Sequence, residues 1–262
     1  MIAPLLPPRP VSIAGPKHDL REIVNAILYV ARTGIPWRYL PHDSPTPTTV
    51  YDYFARWEAD GTAERVHDAL RAEVRRTKGR RVCPTAAVID SQTVKASPAA
   101  PADTVGYDAG KHTKGRKRHI ATDTLGLLLV CLATAGSVQD SAGGRQVLTT
   151  LGTRHPTVVK AWADGGYNAE VVHPAARLGI DLEIIARDPA VKGFAGLPQR
   201  WVVERSFGWF VQRRRLVRAY EAPPERSRAM FHWAMTDTMA RRITRVHHRP
   251  RQNLQPNPDR SP

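Results

Sequence analysis

The chain has 262 residues, of which 42% are hydrophobic and 24% charged, so it can form one large core or a core with a small accessory domain. This composition excludes an intrinsically disordered protein. Lysine and arginine total 39 against 24 acidic residues, and the formal net charge of +15 favours a phosphate-rich partner. A basic protein without such a role, as many ribosome-associated proteins are, would also explain the charge.

The cysteines and apolar runs restrict the compartment. Cys83 and Cys131 form no CxxC pair, so neither a disulfide framework nor a zinc finger is expected, and a reducing compartment is favoured. The N-terminus lacks a basic segment followed by an unbroken apolar stretch, and the longest apolar run, 127–135, is too short to span a bilayer. We therefore expect a soluble, cytoplasmic protein without a membrane partner.

The first part of the chain predicts helices. Residues 1–17 are Pro-rich and are predicted to be extended. From Asp19, placed to cap a helix, apolar residues recur at helical spacing until Gly34 and Pro36 end it. A second helix from about Val50 and a third over 62–76 complete a helix-turn-helix-like DNA-recognition module at 18–78, although any three-helix bundle would show this pattern. Its candidate DNA contacts are Thr48, Thr49, Tyr51 and Arg56.

Beyond a boundary at 77–84, the pattern changes to strands that later alternate with helices. Strands are predicted at 85–94, 117–124, 127–136, 157–164 and 182–186, and helices at 141–153, 169–179, 198–219 and 224–243. This order predicts an α/β core over 84–243, with a mixed, partly parallel sheet and helices on both faces. The basic tail at 244–262 contains four prolines and is predicted to be disordered.

Three acidic residues adjoin apolar stretches of this core. Asp90 follows a run of alanine, valine and isoleucine, Asp164 ends the fourth predicted strand, and Glu204 lies in the last core helix. A carboxylate beside a buried stretch is costly unless a cation or donors compensate it, so the three predict a site for Mg²⁺ or Mn²⁺ and phosphoryl-transfer chemistry. Strand carboxyl ends tend to gather at one site, so Asp90 and Asp164 can meet there, and the apolar neighbours of Glu204 predict its burial.

Each acid also has an ordinary interpretation. Asp90 or Asp164 alone could cap a turn, and Glu204 could pair with Arg200 on an exposed helix face. His112 and His119 are weaker metal-ligand candidates, because Mg²⁺ prefers oxygen.

Two groups of basic residues are further candidates for DNA contact. The first crowds a predicted turn leading into the second strand, near the predicted site, although a solvated charged hairpin is the ordinary interpretation of such a run. The second surrounds the last core helix. The candidates are Lys111, Lys114, Arg116, Lys117 and Arg118 in the first group, and Arg200, Arg213, Arg214 and Arg215 in the second. Trp201 and Trp209 are expected to pack in the core, with stacking on a base as the alternative.

Several short segments carry a family resemblance through their joint order and spacing. They are 19–29 (DLREIVNAILY), 34–38 (GIPWR), 90–95 (DSQTVK), 106–111 (GYDAGK), 114–119 (KGRKRH), 123–126 (DTLG), 163–167 (ADGGY) and 200–205 (RWVVER). In these segments the chain resembles bacterial insertion-sequence transposases of the DDE type, in the family called insertion sequence five. One departure concerns the family's Tyr-Arg-Glu-Lys signature: the tyrosine position falls on Leu197 and the lysine position on Val211.

The resemblance implies an RNase H-like catalytic core in which Asp90, Asp164 and Glu204 hold two Mg²⁺ or Mn²⁺ ions. It implies a transposase that cleaves and joins DNA at the ends of an insertion sequence, with the element's terminal inverted repeats and target DNA as partners. A homodimer or larger assembly on DNA and a nucleoid-associated place in a bacterial cytoplasm are implied as well. The alternatives are a non-catalytic, sequence-specific DNA-binding protein and a metal-dependent nuclease without strand transfer.

Overall fold

The computed structural model describes residues 2–7, 18–167, 169–185 and 200–244. Most of the predicted Pro-rich segment at 1–17 and of the predicted tail at 244–262 lies outside these ranges, as does Leu197. Within the described residues, no helix combines the length and the apolar character needed to cross a membrane.

Seven α-helices are formed by the described residues. They are α1 (Leu20–Thr33), α2 (Pro47–Ala59), α3 (Thr62–Thr77), α4 (Asp140–Arg154), α5 (Val172–Arg177), α6 (Arg200–Val211) and α7 (Pro224–Ile243). The predicted ends of α1 are confirmed: the Asp19 side chain accepts a hydrogen bond from the Arg21 N–H, and Gly34 closes the helix with a left-handed φ of 75°. The predicted helix at 198–219 is shorter, because α6 ends at Val211 and a 3₁₀ turn follows at Arg214–Leu216.

Six strands form one mixed sheet. They are β1 (Ala86–Lys95), β2 (Gly106–Asp108), β3 (Thr113–Asp123), β4 (Leu128–Ala135), β5 (Lys160–Asp164) and β6 (Asp181–Ile185). The order is β2-β3-β1-β5-β6, and β4 pairs with β3. β1 is antiparallel to β3 and parallel to β5, which is itself parallel to β6. The predicted mixed, partly parallel sheet is thus confirmed. β2 was not predicted, and β3 begins at Thr113, so the basic run predicted as a turn is mostly strand.

Alternation along β1 assigns its side chains to two hydrophobic clusters. Val88 joins the cluster that contains α1, α2, α3, α6 and α7, whereas Ala87 and Ile89 join the cluster that contains α4 and α5. Successive side chains of a strand point to opposite faces, so Asp90 lies on the face covered by α6 and α7, and Ser91 on the face covered by α4.

The N-terminal helices share a hydrophobic core with the sheet. Apolar side chains of α1–α3 belong to the same buried cluster as Ile120 and Leu128 of the sheet and most of α7. Buried polar contacts strengthen this junction: Arg75 of α3 forms an ion pair with Asp123 at the end of β3, and Arg71 donates to the Leu128 carbonyl at 3.1 Å. The helical module therefore packs as part of one folded unit with the sheet and is not tethered to it by a linker.

Candidate active site

Two predicted acids lie at matching positions on adjacent parallel strands. β1 and β5 are paired up to Val88 and Trp162, and Asp90 and Asp164 each follow two residues later. Both aspartates therefore lie on the same face of the sheet. Asp90 is almost buried, and one of its carboxylate oxygens accepts the Ser91 N–H at 2.7 Å. Asp164 ends β5, whereas Asp90 lies inside β1, so the meeting of the first two acids at the strand ends stays a prediction.

A third carboxylate, Asp140 at the start of α4, adjoins Asp164. A Cβ placed on Gly166 would lie 3.1 Å from Asp164 Oδ1 and 3.4 Å from Asp140 Oδ2. The Gly166 N–H donates to Asp164 Oδ1, also at 3.1 Å. A glycine at 166 thus leaves room for two acid groups to approach the same turn. Asp140 was not among the predicted site residues.

The pKa of Tyr167 reflects the negative charge of the nearby carboxylates. Its phenol is buried in the cluster below α4, and burial together with the negative charges of Asp90, Asp140 and Asp164 raises its pKa well above the usual value. The same three carboxylates thus act on a single hydroxyl group. Asp90, Asp140 and Asp164 therefore lie near this hydroxyl group, beside the middle of β1 and the end of β5.

A buried lysine partly balances that charge. Lys117 Nζ lies 3.0 Å from Asp140 Oδ1 and 3.3 Å from Asp108 Oδ2, and Ser91 Oγ donates to Asp140 Oδ1 at 2.7 Å. Thr93 donates to Asp108 beside them. Asp140 is therefore held by a hydroxyl and an ammonium group. In the sequence, Asp140 looks like an ordinary aspartate at the start of a helix, so the sequence gives no reason to assign it to the site.

Glu204 lies on α6, the helix that packs on the same face of the sheet as Asp90 and Asp164. Val203 and Phe207 of that helix enter the shared core, whereas Glu204 itself is exposed together with Gly208. The predicted burial of Glu204 is therefore wrong: its apolar neighbours pack into the shared core, whereas the glutamate is exposed to solvent. Among the described residues, no group of three or more His, Cys, Asp or Glu side chains is close enough to hold a metal ion in this conformation.

Three of the five basic candidates before and within β3 are buried. Arg116 donates to the Glu221 carbonyl at 2.6 Å, and Arg118 donates to the Leu216 and Arg218 carbonyls at 2.6 and 3.1 Å. Lys117 makes the contacts described above. Arg116 and Arg118 fasten the segment after α6 to the sheet, and Lys117 is held by Asp140 and Asp108. These buried contacts argue against the predicted contact of the three side chains with DNA. Burial lowers the pKa of Arg118 to about 10, which still leaves the group charged at neutral pH.

Lys111 and Lys114 remain on the surface. Lys111 Nζ donates to the Ser91 carbonyl at 3.1 Å, which places an exposed cation one residue from Asp90. Lys114 is exposed on β3. Of the basic run, these two are the exposed side chains that DNA could reach, and Lys111 is the one that lies beside Asp90.

The arginines after α6 also include both buried and exposed side chains. Arg215 is buried, with Nε donating to Glu221 Oε1 at 2.7 Å and Nη1 donating to the Ile35 carbonyl at 3.1 Å, which argues against its predicted DNA contact. Arg214 is exposed, and Arg213 lies at the edge of a surface cleft. The side chain of Arg200 falls outside the described part of the chain.

Of the candidate contacts in the helical module, Thr48, Thr49 and Tyr51 lie in the first turns of α2, and Arg56 lies in its last turn. Thr48 and Arg56 are exposed. Thr49 is partly buried, and its hydroxyl lies 2.8 Å from that of Thr46. Tyr51 packs edge-on against Trp37, with ring centroids 5.4 Å apart, so most of its ring serves the packing of the module.

The two histidine candidates lie near hydroxyl groups. His119 is fully buried, with Nε2 3.0 Å from the Thr134 hydroxyl, and burial lowers its pKa to about 4. His112 is exposed in the turn before β3, near the Tyr107 hydroxyl.

Comparison with known proteins gives two family matches and one relative. Residues 81–236, more than half of the chain, match the family model described as "Transposase DDE domain". Residues 1–67 match the model described as "Putative transposase of IS4/5 family". The insertion element IS402 uncharacterized 16.2 kDa protein of Burkholderia cepacia is 30% identical over 102 residues, which are 37% of this chain and 68% of that protein. These matches confirm the family resemblance and, with the mixed sheet, the RNase H-like α/β fold.

Proposed function

The chain belongs to the DDE transposases of insertion sequences, and from that premise we propose that it cleaves DNA at the ends of its element and joins those ends to target DNA. Asp90, Asp164 and Glu204 are the proposed catalytic carboxylates. The observation that carries the proposal is the register of β1 and β5, which puts Asp90 and Asp164 side by side on the face that α6 covers.

The chemistry of these donors fits a divalent cation. The side chains around the strand ends are carboxylates, and hard oxygen donors suit Mg²⁺ or Mn²⁺. The negative charge that raises the pKa of Tyr167 is charge that a cation would offset. We propose Asp90 and Asp164 as ligands from the sheet and Glu204 as the ligand from α6. Bound cations would activate the attacking oxygen and stabilise the leaving oxygen of a phosphodiester.

The reaction balances without a covalent bond between protein and DNA. In cleavage, water forms a bond to phosphorus, the bond from phosphorus to the 3′ oxygen breaks, and that oxygen takes up a proton. In joining, the freed 3′ hydroxyl attacks a target phosphodiester and displaces its 3′ oxygen. The chain's own part is to hold the carboxylates in place through the Ser91 N–H and the Gly166 N–H, and to offer Lys111 to a nearby phosphate.

The decisive experiment uses the full chain with DNA that carries both ends of its own element. We expect strand cleavage and joined products with Mg²⁺ or Mn²⁺, and loss of both in Asp90→Asn, Asp164→Asn and Glu204→Gln. Asp43→Asn, which changes an exposed loop carboxylate, is the matched control and should retain activity. Cleavage without joined products would identify a nuclease, and binding without cleavage by the parent chain would identify a DNA-binding protein.

Joining requires two DNA ends in one complex, so we also propose a dimer or larger assembly on DNA. Mass measurement of the complex with end-bearing DNA tests this directly, and a complex containing one protein chain would contradict it.

A further inference from the structure

A cationic cleft lies on the α6 and α7 side of the molecule, beyond the carboxylates. It encloses about 510 Å³ and is bounded by α1, the end of α6 and the end of α7. Four arginines line it, and among its described lining residues there is no acidic side chain. The side chains that matter here are Arg32, Arg213, Arg241, Arg242, Trp209 and Gln212.

One buried carboxylate orients three of these arginines. Arg32 Nη2 lies 3.0 Å from both carboxylate oxygens of Asp237, Arg213 Nη2 lies 2.8 Å from Oδ2, and Arg241 Nε lies 3.1 Å from Oδ1. The Asp237 side chain is only 9% exposed, whereas those of Arg32 and Arg241 are each 47% exposed. A single negative charge cannot neutralise three cations, so the cluster presents a surplus of positive charge to solvent.

The fourth arginine extends the cluster towards α6. The Arg242 guanidinium lies over the Trp209 ring at 3.9 Å from its centroid, and Arg205 lies 5.0 Å from the same centroid. Burial, followed by the charge of Arg205, lowers the pKa of Arg242. Cations held this close repel one another, and a bound anion would offset that repulsion. The cleft thus has the charge and the fixed donors of a phosphate site.

A row of residues along α6 and the turn after it connects this cleft with the proposed catalytic glutamate. Glu204, Gly208 and Gln212 are spaced by four residues, and all three are exposed. Among the described residues, a Cβ on Gly208 would meet nothing within 4 Å, so the surface beside this glycine is open to a ligand. At the rise of an α-helix, the eight residues from Glu204 to Gln212 span about 12 Å along the helix axis. Successive nucleotides of a DNA strand are about 3.4 Å apart along a duplex, so this distance corresponds to about three to four nucleotides.

We propose that the cleft of Arg32, Arg213, Arg241 and Arg242 binds a DNA backbone phosphate about three to four nucleotides from the phosphate held near Glu204. This inference rests on the proposed function for its ligand, and it goes beyond it by assigning a second contact point on the substrate. This contact should not depend on the DNA sequence, because arginines that bind phosphates position the DNA without contacting its bases.

The first test measures binding to a short random-sequence duplex in EDTA, so that it requires no cleavage. In Arg32→Gln/Arg241→Gln, Asp237 keeps Arg213 as its partner, and the folded state should persist. Loss of the contact with this one phosphate should reduce the slope of log affinity against log salt by about one unit. Arg32→Lys/Arg241→Lys should restore most of the slope, because it retains both charges.

The matched control, Arg21→Gln/Arg177→Gln, removes the same number of charges from exposed positions on α1 and α5, away from the cleft. We expect its salt slope to equal that of the parent. An equal loss in control and cleft variant would mean that only net charge matters, and would overturn the proposal. A slope that falls only in the cleft variant supports it, whether or not the parent chain cleaves DNA.

A second test determines the position of the contact on the DNA, once the site at which the protein cleaves that DNA is known. A single neutral methylphosphonate, three to four nucleotides from the cut, should weaken binding by the parent but not by the cleft variant. Equal weakening of both would overturn the assigned spacing.

Discussion

Asp90 and Asp164 occupy equivalent positions on neighbouring parallel strands, each two residues beyond the last paired residues, Val88 and Trp162. Because the two strands are parallel and paired, this register puts on neighbouring strands two carboxylates that are far apart in sequence. The arrangement places like charges close to each other, which is unfavourable for stability and useful for binding a cation.

The first prediction separates that role from an ordinary structural one. In Asp90→Asn, the remaining Oδ1 can still accept the Ser91 N–H, while one negative charge is lost. We expect metal-free stability equal to or above that of the parent, a smaller thermal shift on adding Mn²⁺, and no cleavage. Melting curves with and without Mn²⁺, beside a cleavage assay, measure all three.

Asp123→Asn provides the contrast. This aspartate is fully buried, pairs with Arg75 and accepts the N–H groups of Leu125 and Leu127 at 2.8 and 2.9 Å. Its substitution should lower metal-free stability while leaving the thermal shift caused by Mn²⁺ in place. If Asp90→Asn behaved in the same way, Asp90 would be a structural residue.

The second prediction concerns the junction between α3 and the sheet. Arg75→Met leaves Asp123 buried without its cation, and breaking a buried pair from one side typically costs about 3–5 kcal/mol. The neighbouring Arg76 pairs with Glu73 on the surface, with its side chain 59% exposed, so Arg76→Met should cost less than about 1 kcal/mol. Urea unfolding of both variants tests the difference, and similar losses would contradict the proposed role of the buried pair.

The third prediction uses two adjacent glycines. Gly166→Ala puts a methyl group 3.1 Å from Asp164 Oδ1 and 3.4 Å from Asp140 Oδ2. A Cβ on Gly165 would meet none of the described residues within 4 Å. The carboxylates must shift by a fraction of an ångström, and we expect roughly a tenfold loss of cleavage in Gly166→Ala. Gly165→Ala should cleave like the parent. Equal rates in the two variants would show that the spacing at Gly166 does not matter for the chemistry.

Local patterns predicted much of this fold, because they reflect burial directly. The helical spacing from Leu20, the cap at Asp19 and the stop at Gly34 are local, and the structure confirms them. The two aspartates were found because each adjoins an apolar run that becomes a strand.

The rest depended on contacts between distant parts of the chain. Arg116 and Arg118 look like solvated residues in sequence, yet alternation along β3 turns both towards carbonyls about 100 residues later, near Leu216 and Glu221. Asp140 was missed for a similar reason: only the packed structure brings it to Asp164 and Lys117. Charge runs are ambiguous until the partners of each charge are known.

The last prediction concerns acid stability. Burial lowers the pKa of His119 to about 4, with Asp140 opposing the shift and Lys117 and Lys111 adding to it. The unfolded chain takes up this proton near pH 6.5, whereas the folded chain does so only near pH 4. Between these values the unfolded state binds more protons, so stability falls as the pH is lowered through this window, by up to roughly 3 kcal/mol from this group.

His119→Gln removes that proton while retaining a polar group that can reach the Thr134 hydroxyl. The free energy of unfolding, measured in urea from neutral pH down to pH 4, should therefore fall less steeply in this variant than in the parent. Some pH dependence will remain, because burial also lowers the pKa of His67, His155 and His232. His173→Gln, at an exposed position on α5, should follow the parent curve. Parallel curves for His119→Gln and the parent would show that His119 does not contribute to acid sensitivity.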